Sequence, residues 1–92
     1  MQTLLRNLED LKDGTTIFAV GPESKQPSTR PYRIVMRGMA NGSYAVHTQF
    51  TDKGDFHQGD YFPAGPEGLV AATKQFAKRV SDNAGYLATL WR

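Results

Sequence analysis

Apolar positions change their spacing several times along the chain, and each change marks a predicted element. Leu4, Leu5, Leu8 and Leu11 fall at i, i+1, i+4 and i+7, with Arg6, Asn7, Glu9, Asp10 and Lys12 around them. That spacing gathers the leucines along one side of a helix, which Asp13-Gly14 then stops. The β-branched and aromatic run "TTIFAV", ending at Val20, reads as a short strand broken by Gly21-Pro22. The stretch "PESKQPSTRP" that follows is rich in Pro and Ser and nearly free of apolar residues, the composition of an exposed loop.

From Tyr32 to Phe50 the pattern becomes two alternating runs around Asn41-Gly42, and parity selects the hairpin register. Cross-strand partners share a face and each strand alternates faces. A two-residue Asn-Gly turn would pair Arg37 with Val46, Arg33 with Phe50 and Met36 with His47, mixing apolar and polar side chains on both faces. A three-residue loop, Ala40-Asn41-Gly42 with glycine in the left-handed conformation, pairs Met39 with Ser43. Tyr32, Ile34, Met36, Val46 and Phe50 then share one face, and Arg33, Val35, Arg37, His47 and Gln49 share the other. Because a one-residue slip inverts every side chain, the odd-length loop is the predicted one.

"FTDKGDFHQGDYF" predicts a second turn at Asp52-Lys53-Gly54 and a strand near Phe56 to Phe62, weakened by Gly59 and ended by Pro63. Pro66 suits the first turn of a helix and Glu67 suits its dipole. This helix is expected to reach about Asp82, with Leu69, Thr73, Phe76 and Val80 buried, Ala72 and Ala77 flanking, and Lys74, Lys78 and Arg79 towards water. Asn83 and Gly85 mark its end. Tyr86, Leu87, Leu90 and Trp91 fit either a helical turn or a short strand. The expected fold is α+β: an N-terminal helix, an antiparallel β-meander of three to four strands, one packed helix and a short apolar C-terminal element, in one domain over residues 1–92.

Composition narrows the functional classes. A chain of 92 residues buries a small share of its surface, which leaves few side chains for a deep catalytic pocket. With no cysteine, disulfides, thiolate metal sites and thiol nucleophiles are excluded. The polar interruptions of "MQTLLRNLEDLKDG" exclude the continuous apolar run of a signal peptide or membrane span, so no membrane partner and a cytoplasmic location are expected. The net charge of +2 is small, yet no acid lies between Glu23 and Asp52, while Lys25, Arg30, Arg33 and Arg37 do.

His47, Asp52, Asp55, His57 and Asp60 concentrate possible metal ligands, but turn chemistry explains aspartates beside glycine and no zinc-motif spacing occurs. A hydrolytic site lacks sequence context around either histidine, and "GMANGS" and "GPEG" lack the pattern and lysine of a phosphate loop. "FPAGPEG" could offer helix N–H groups to an anion, although ordinary capping accounts for it. The expectation is therefore no catalytic residue, no metal and no cofactor. What remains is the polar sheet face: Arg33, Arg37, His47 and Gln49, with Lys25 and Arg30 supplied by the loop. Either these residues keep an outer sheet face wet, or they contact a protein or nucleic acid. The aromatics fall mostly on the inward parity and no RNA-binding signature occurs, which favours a protein or ribonucleoprotein partner. Direct contact with a nucleic-acid backbone, as a stand-alone binder, is the alternative, and a small enzyme comes last.

The short leucine helix "LLRNLEDL", the meander containing "YRIVMRGMANGSYAVHTQF" and the helix "PEGLVAATKQFAKRV", in a cysteine-free chain, resemble the compact α+β proteins that phages encode against host defences, notably anti-CRISPR proteins. The resemblance covers the architecture of most of the chain and carries no shared motif. It implies a non-catalytic inhibitor, acting in the host cytoplasm, that docks on a CRISPR effector complex and blocks guide or target access. In that setting Arg30, Arg33 and Arg37 would meet acidic protein surface or guide RNA backbone.

Overall fold

The computed structural model describes residues 8–24 and 30–90, with side chains as far as Asn83. Five antiparallel strands lie in sequence order, β1 (Glu9–Asp10), β2 (Thr16–Val20), β3 (Tyr32–Gly38), β4 (Tyr44–Phe50) and β5 (Phe56–Phe62). A 25-residue helix, α1 (Pro66–Leu90), packs across β3, β4 and β5. The architecture is α+β, with one more strand than the hydrophobic pattern indicates.

The additional strand comes from the segment expected to be an N-terminal helix. Glu9 faces Ile17 and Asp10 faces Thr16 in β1, so Asp13-Gly14 closes a hairpin instead of ending a helix. Leu11 N donates to Thr15 O at 2.8 Å, Gly14 takes φ 87°, and Asp13 Oδ1 accepts from Thr15 N at 3.0 Å and Thr15 Oγ1 at 2.6 Å. A helix this short is marginal by itself, whereas β2 supplies the extended segment with ready backbone partners. Leu4 and Leu5 lie outside the described residues.

The β3–β4 hairpin has the register that parity demands. Met36 faces Val46, Arg37 faces Ala45 and Val35 faces His47. Met39 N donates to Ser43 O at 2.8 Å, and Gly42 adopts φ 88°, the left-handed geometry of the three-residue loop. Two bulges interrupt the remaining ladders. Phe18 is an extra residue between Ile17 and Ala19, and its ring lies where a side chain on Gly38 would stand. On β5, Gln58 and Gly59 together oppose His47, with Gln58 at φ 54°.

Ile34, Met36, Val46 and Ala72 form the buried centre between sheet and helix, flanked by Phe18, Tyr44, Phe62, Leu69, Phe76 and Val80. Ala72 is fully buried and brings the helix close to the sheet. Thr73, expected inside, is exposed and donates its hydroxyl to Leu69 O at 2.8 Å. Gly65 (φ 102°) turns the chain into the helix, and Leu69 N donates to Gly65 O at 3.0 Å. The helix does not stop at Asn83 or Gly85. Asn83 Oδ1 accepts from Tyr32 Oη at 2.6 Å, which spends the residue on tertiary contact instead of capping. The apolar tail as far as Leu90 is therefore the last part of α1, and Trp91 lies outside the described residues.

Candidate interaction face

The sheet face turned away from α1 carries Ile17, Val35 and Ala45 beneath Arg33, Arg37, His47, Gln49, Phe56 and Tyr61. The grouping of Arg33, Arg37, His47 and Gln49 follows the predicted parity, but three of the four side chains are closed off from water and from any partner alike. Arg37 is 5% exposed, His47 4% and Gln49 7%. Their neighbours on the same face bury them. The Arg37 guanidinium lies 3.7 Å from the centroid of the Phe56 ring and donates to Thr15 Oγ1 at 2.8 Å and Asp13 Oδ2 at 3.3 Å. Burial pushes the Arg37 pKa down, against the opposing pull of Asp13.

His47 stands opposite the β5 bulge, where a side chain at Gly59 would occupy the space its ring fills. Its Nε2 pairs with Tyr61 Oη at 3.1 Å, and its ring meets those of Phe56 and Tyr61 at 5.6 and 5.4 Å. Burial first, then the charges of Arg37 and Arg79, lower its pKa to about 4, against a weaker upward pull from Asp60. The folded protein thus keeps His47 neutral where the unfolded chain, at 6.5, already binds a proton. Stability is complete above that unfolded value and falls as the pH drops from 6.5 towards 4, by on the order of 2 kcal/mol after allowance for solvent screening. Urea titrations across that interval should show the slope in wild type and a flatter profile in His47→Gln. Equal slopes in the two proteins would remove His47 as its source.

Of the two loop cations, Arg30 is occupied elsewhere. Lys25 lies outside the described residues. Arg30 grips two aspartates, donating from Nε to Asp52 Oδ2 at 2.9 Å and from Nη2 to Asp52 Oδ1 at 2.8 Å and Asp55 Oδ1 at 2.7 Å. Its guanidinium sits 4.2 Å from the Phe50 ring centroid, on the helix side of the sheet. A hydrogen bond from His57 and then the Arg30 fork hold Asp55 at about 2, and Arg30 lowers Asp52 as well. The clamp ties the end of the β2–β3 connection to the β4–β5 turn, so Arg30 is not an open contact residue.

The candidate metal ligands are dispersed in the same way. Asp52, Asp55 and His57 belong to the Arg30 cluster, His47 is enclosed on the opposite face, and Asp60 accepts from Gln75 Nε2 at 2.9 Å. Among the described residues no three such side chains gather around one point. No helix among them is long and apolar enough to cross a membrane.

Comparison with protein-family models, curated proteins and solved structures finds no match. Any assignment of the face therefore rests on its own geometry.

Two side chains of this face remain turned outward. Arg33 Nε donates to Gln49 Oε1 at 2.8 Å, and Gln49 Nε2 in turn donates to Gly54 O at 3.3 Å. Among the described residues neither terminal nitrogen of Arg33 has a hydrogen-bond partner. Arg33 lines a polar groove of about 530 Å³ with Glu9, Glu23, Gln49, Thr51 and Gly54. Tyr61 is 66% exposed although its hydroxyl is fixed by His47. Sequence reasoning missed Tyr61 because Phe56 and Tyr61, five residues apart, fall on opposite faces by simple alternation. The Gln58–Gly59 bulge adds a residue and returns both to one face. Gly59 was the available cue, because a glycine inside a strand is itself a signal of such a bulge.

A larger groove of about 630 Å³ lies on the helix side, lined by Tyr32, Ile34, Phe50, Arg30 and Arg79. Both of its guanidinium groups are committed to internal partners. Of these two grooves, the one around Arg33 holds the open donors.

Proposed function

We propose that the chain is a non-catalytic interaction protein that docks on a larger protein or ribonucleoprotein complex through the sheet face opposite α1. The observation that supports this reading is the presence on that face of Arg33 and Tyr61, each held by a buried neighbour, the first with its terminal nitrogens open and the second with its ring exposed. Side chains fixed before binding lose little conformational freedom on association, and Arg and Tyr are the residues over-represented at energetic centres of interfaces. In the setting that the resemblance to phage anti-CRISPR proteins implies, the complex is a CRISPR effector and docking blocks guide or target access.

The internal commitments of Arg30, Arg37 and Arg79 remove three described cations from those a polyanion could meet, which weakens the stand-alone nucleic-acid reading. The exposed His57–Asp55 pair gives little support to an enzyme, because its carboxylate is shared with Arg30 in the clamp that closes the β4–β5 turn. The test is binding of the purified protein to reconstituted CRISPR effector complexes, with target cleavage as a second readout. A stoichiometric complex that fails to form with Arg33→Glu/Tyr61→Ala is expected. Wild-type binding by that variant would exclude the face, and absence of binding and inhibition by the wild type would exclude the inhibitor reading.

A further inference from the structure

We infer that the groove around Arg33 receives a carboxylate side chain from an acidic protein segment. The inference rests on the reading of the open face as a docking surface and adds the chemistry of what it binds. Arg33 is a half-buried strand residue whose Nε is engaged by Gln49, itself more than nine-tenths buried and anchored to Gly54 O. That engagement orients the guanidinium plane and leaves the two terminal nitrogens as a fixed fork. A planar fork with two parallel donors matches a carboxylate or a phosphate and suits a hydrophobic or purely cationic group poorly.

The surrounding charge decides between the two anions. Glu9 lies in the same groove and is exposed, and the Glu23 carboxylate, which accepts from Thr51 Oγ1, lines it as well. A nucleic-acid strand brings a charge at every nucleotide and gains affinity by meeting several cations at once. Among the described residues of this groove it would find one guanidinium, with the Glu9 carboxylate beside it. A single Asp or Glu side chain can be seated on the fork with its polypeptide leading away, and a flanking Lys, Arg or backbone N–H would find Glu9 within the groove. Glu9 therefore acts against polyanions while Arg33 acts for an isolated carboxylate, the combination of attractive and repulsive elements that specificity requires.

The probes are an acetylated, amidated alanine-rich peptide carrying one glutamate beside one lysine, its glutamine counterpart and a short oligothymidine, titrated while the Arg33 Nε–Hε and Gln49 side-chain amide resonances are followed. The glutamate peptide is expected to shift both resonances saturably. The glutamine peptide and the Arg33→Gln variant, read at Gln49, should bind at least about tenfold more weakly, the loss typical of removing an anchoring arginine. Arg33→Lys should recover only part of the affinity, and Glu9→Gln should narrow the gap between peptide and oligothymidine. Oligothymidine binding as tightly as the glutamate peptide in wild type, or unchanged peptide binding by Arg33→Gln with an otherwise native amide spectrum, would overturn the inference. An absence of any saturable shift with the glutamate peptide would overturn it too. None of these outcomes touches effector binding by the whole protein, so the broader interaction reading stands or falls separately.

Discussion

Gly68→Ala is expected to destabilise the protein by about 2–4 kcal/mol, although the same change at an exposed helical site gains about 1 kcal/mol from propensity. Gly68 is buried in the first turns of α1, and a methyl group there would overlap the carbonyl of Pro63. That carbonyl belongs to the segment that leaves β5 and swings through Gly65 (φ 102°) into the helix, so neither side can yield independently. Displacing the helix start would lift Leu69 and Ala72 from Met36 and Val46, the centre of the core. A domain of this size has roughly 5–10 kcal/mol in total, so the variant should sit near the edge of folding. Urea midpoints measured beside Val70→Ala, a change at an exposed position of the same helix, give the comparison. A Gly68→Ala protein as stable as wild type would show that the Pro63 segment is soft and that the helix is not fixed at its entry.

What could be read from the sequence follows from how local each determinant is. Register in the β3–β4 hairpin needed only two periods of two and a glycine able to take φ 88°, all within neighbouring residues. The β5 limits and the helix start were equally local, set by Pro63, Pro66 and the alternation between them. The N-terminal segment was misread because its leucines satisfy a helical period over a length too short to be stable, while its strand partner, Ile17, lies beyond the Asp13-Gly14 turn. Asp-Gly serves a helix stop and a hairpin equally well, and only the presence of β2 decides. The candidate site was half visible. Which residues share its face was decided by parity, but whether they meet water was decided by Phe56 and Tyr61, whose placement depends on a bulge. Aspartates distant in sequence likewise absorbed the charge of Arg30 and Arg37.

Arg79 shows the same effect at its largest, and Arg79→Met is expected to cost about 3 kcal/mol. Its place in the row Lys74, Lys78, Arg79 suggests a solvated helix face, yet its side chain is only 15% exposed. The bulge at Gln58–Gly59 shifts the register beside Val46, and Arg79 Nη1 donates to the carbonyls of Val46 and Gln58, at 3.0 and 2.8 Å. Nη2 donates to Thr48 Oγ1 at 2.8 Å, and Asp60 lies 3.5 Å from Nη1 as counter-charge. Methionine keeps the length of the stem but leaves the part-buried Val46 carbonyl and Thr48 hydroxyl without their donor, each worth about 1–3 kcal/mol when desolvated, while the exposed Gln58 carbonyl can turn to water. Lysine should recover less than half, because one ammonium cannot span acceptors that a planar fork reaches together. Hydrogen exchange adds a regional readout: amides of β5 should lose protection in Arg79→Met by a larger factor than those of the β3–β4 hairpin. The bulge also positions His47, Phe56 and Tyr61 on the opposite face, so the Tyr61 ring should become mobile in the same variant while the Arg33–Gln49 pair remains fixed. Uniform loss of protection throughout the sheet would mean that Arg79 supports the fold as a whole and not the bulge.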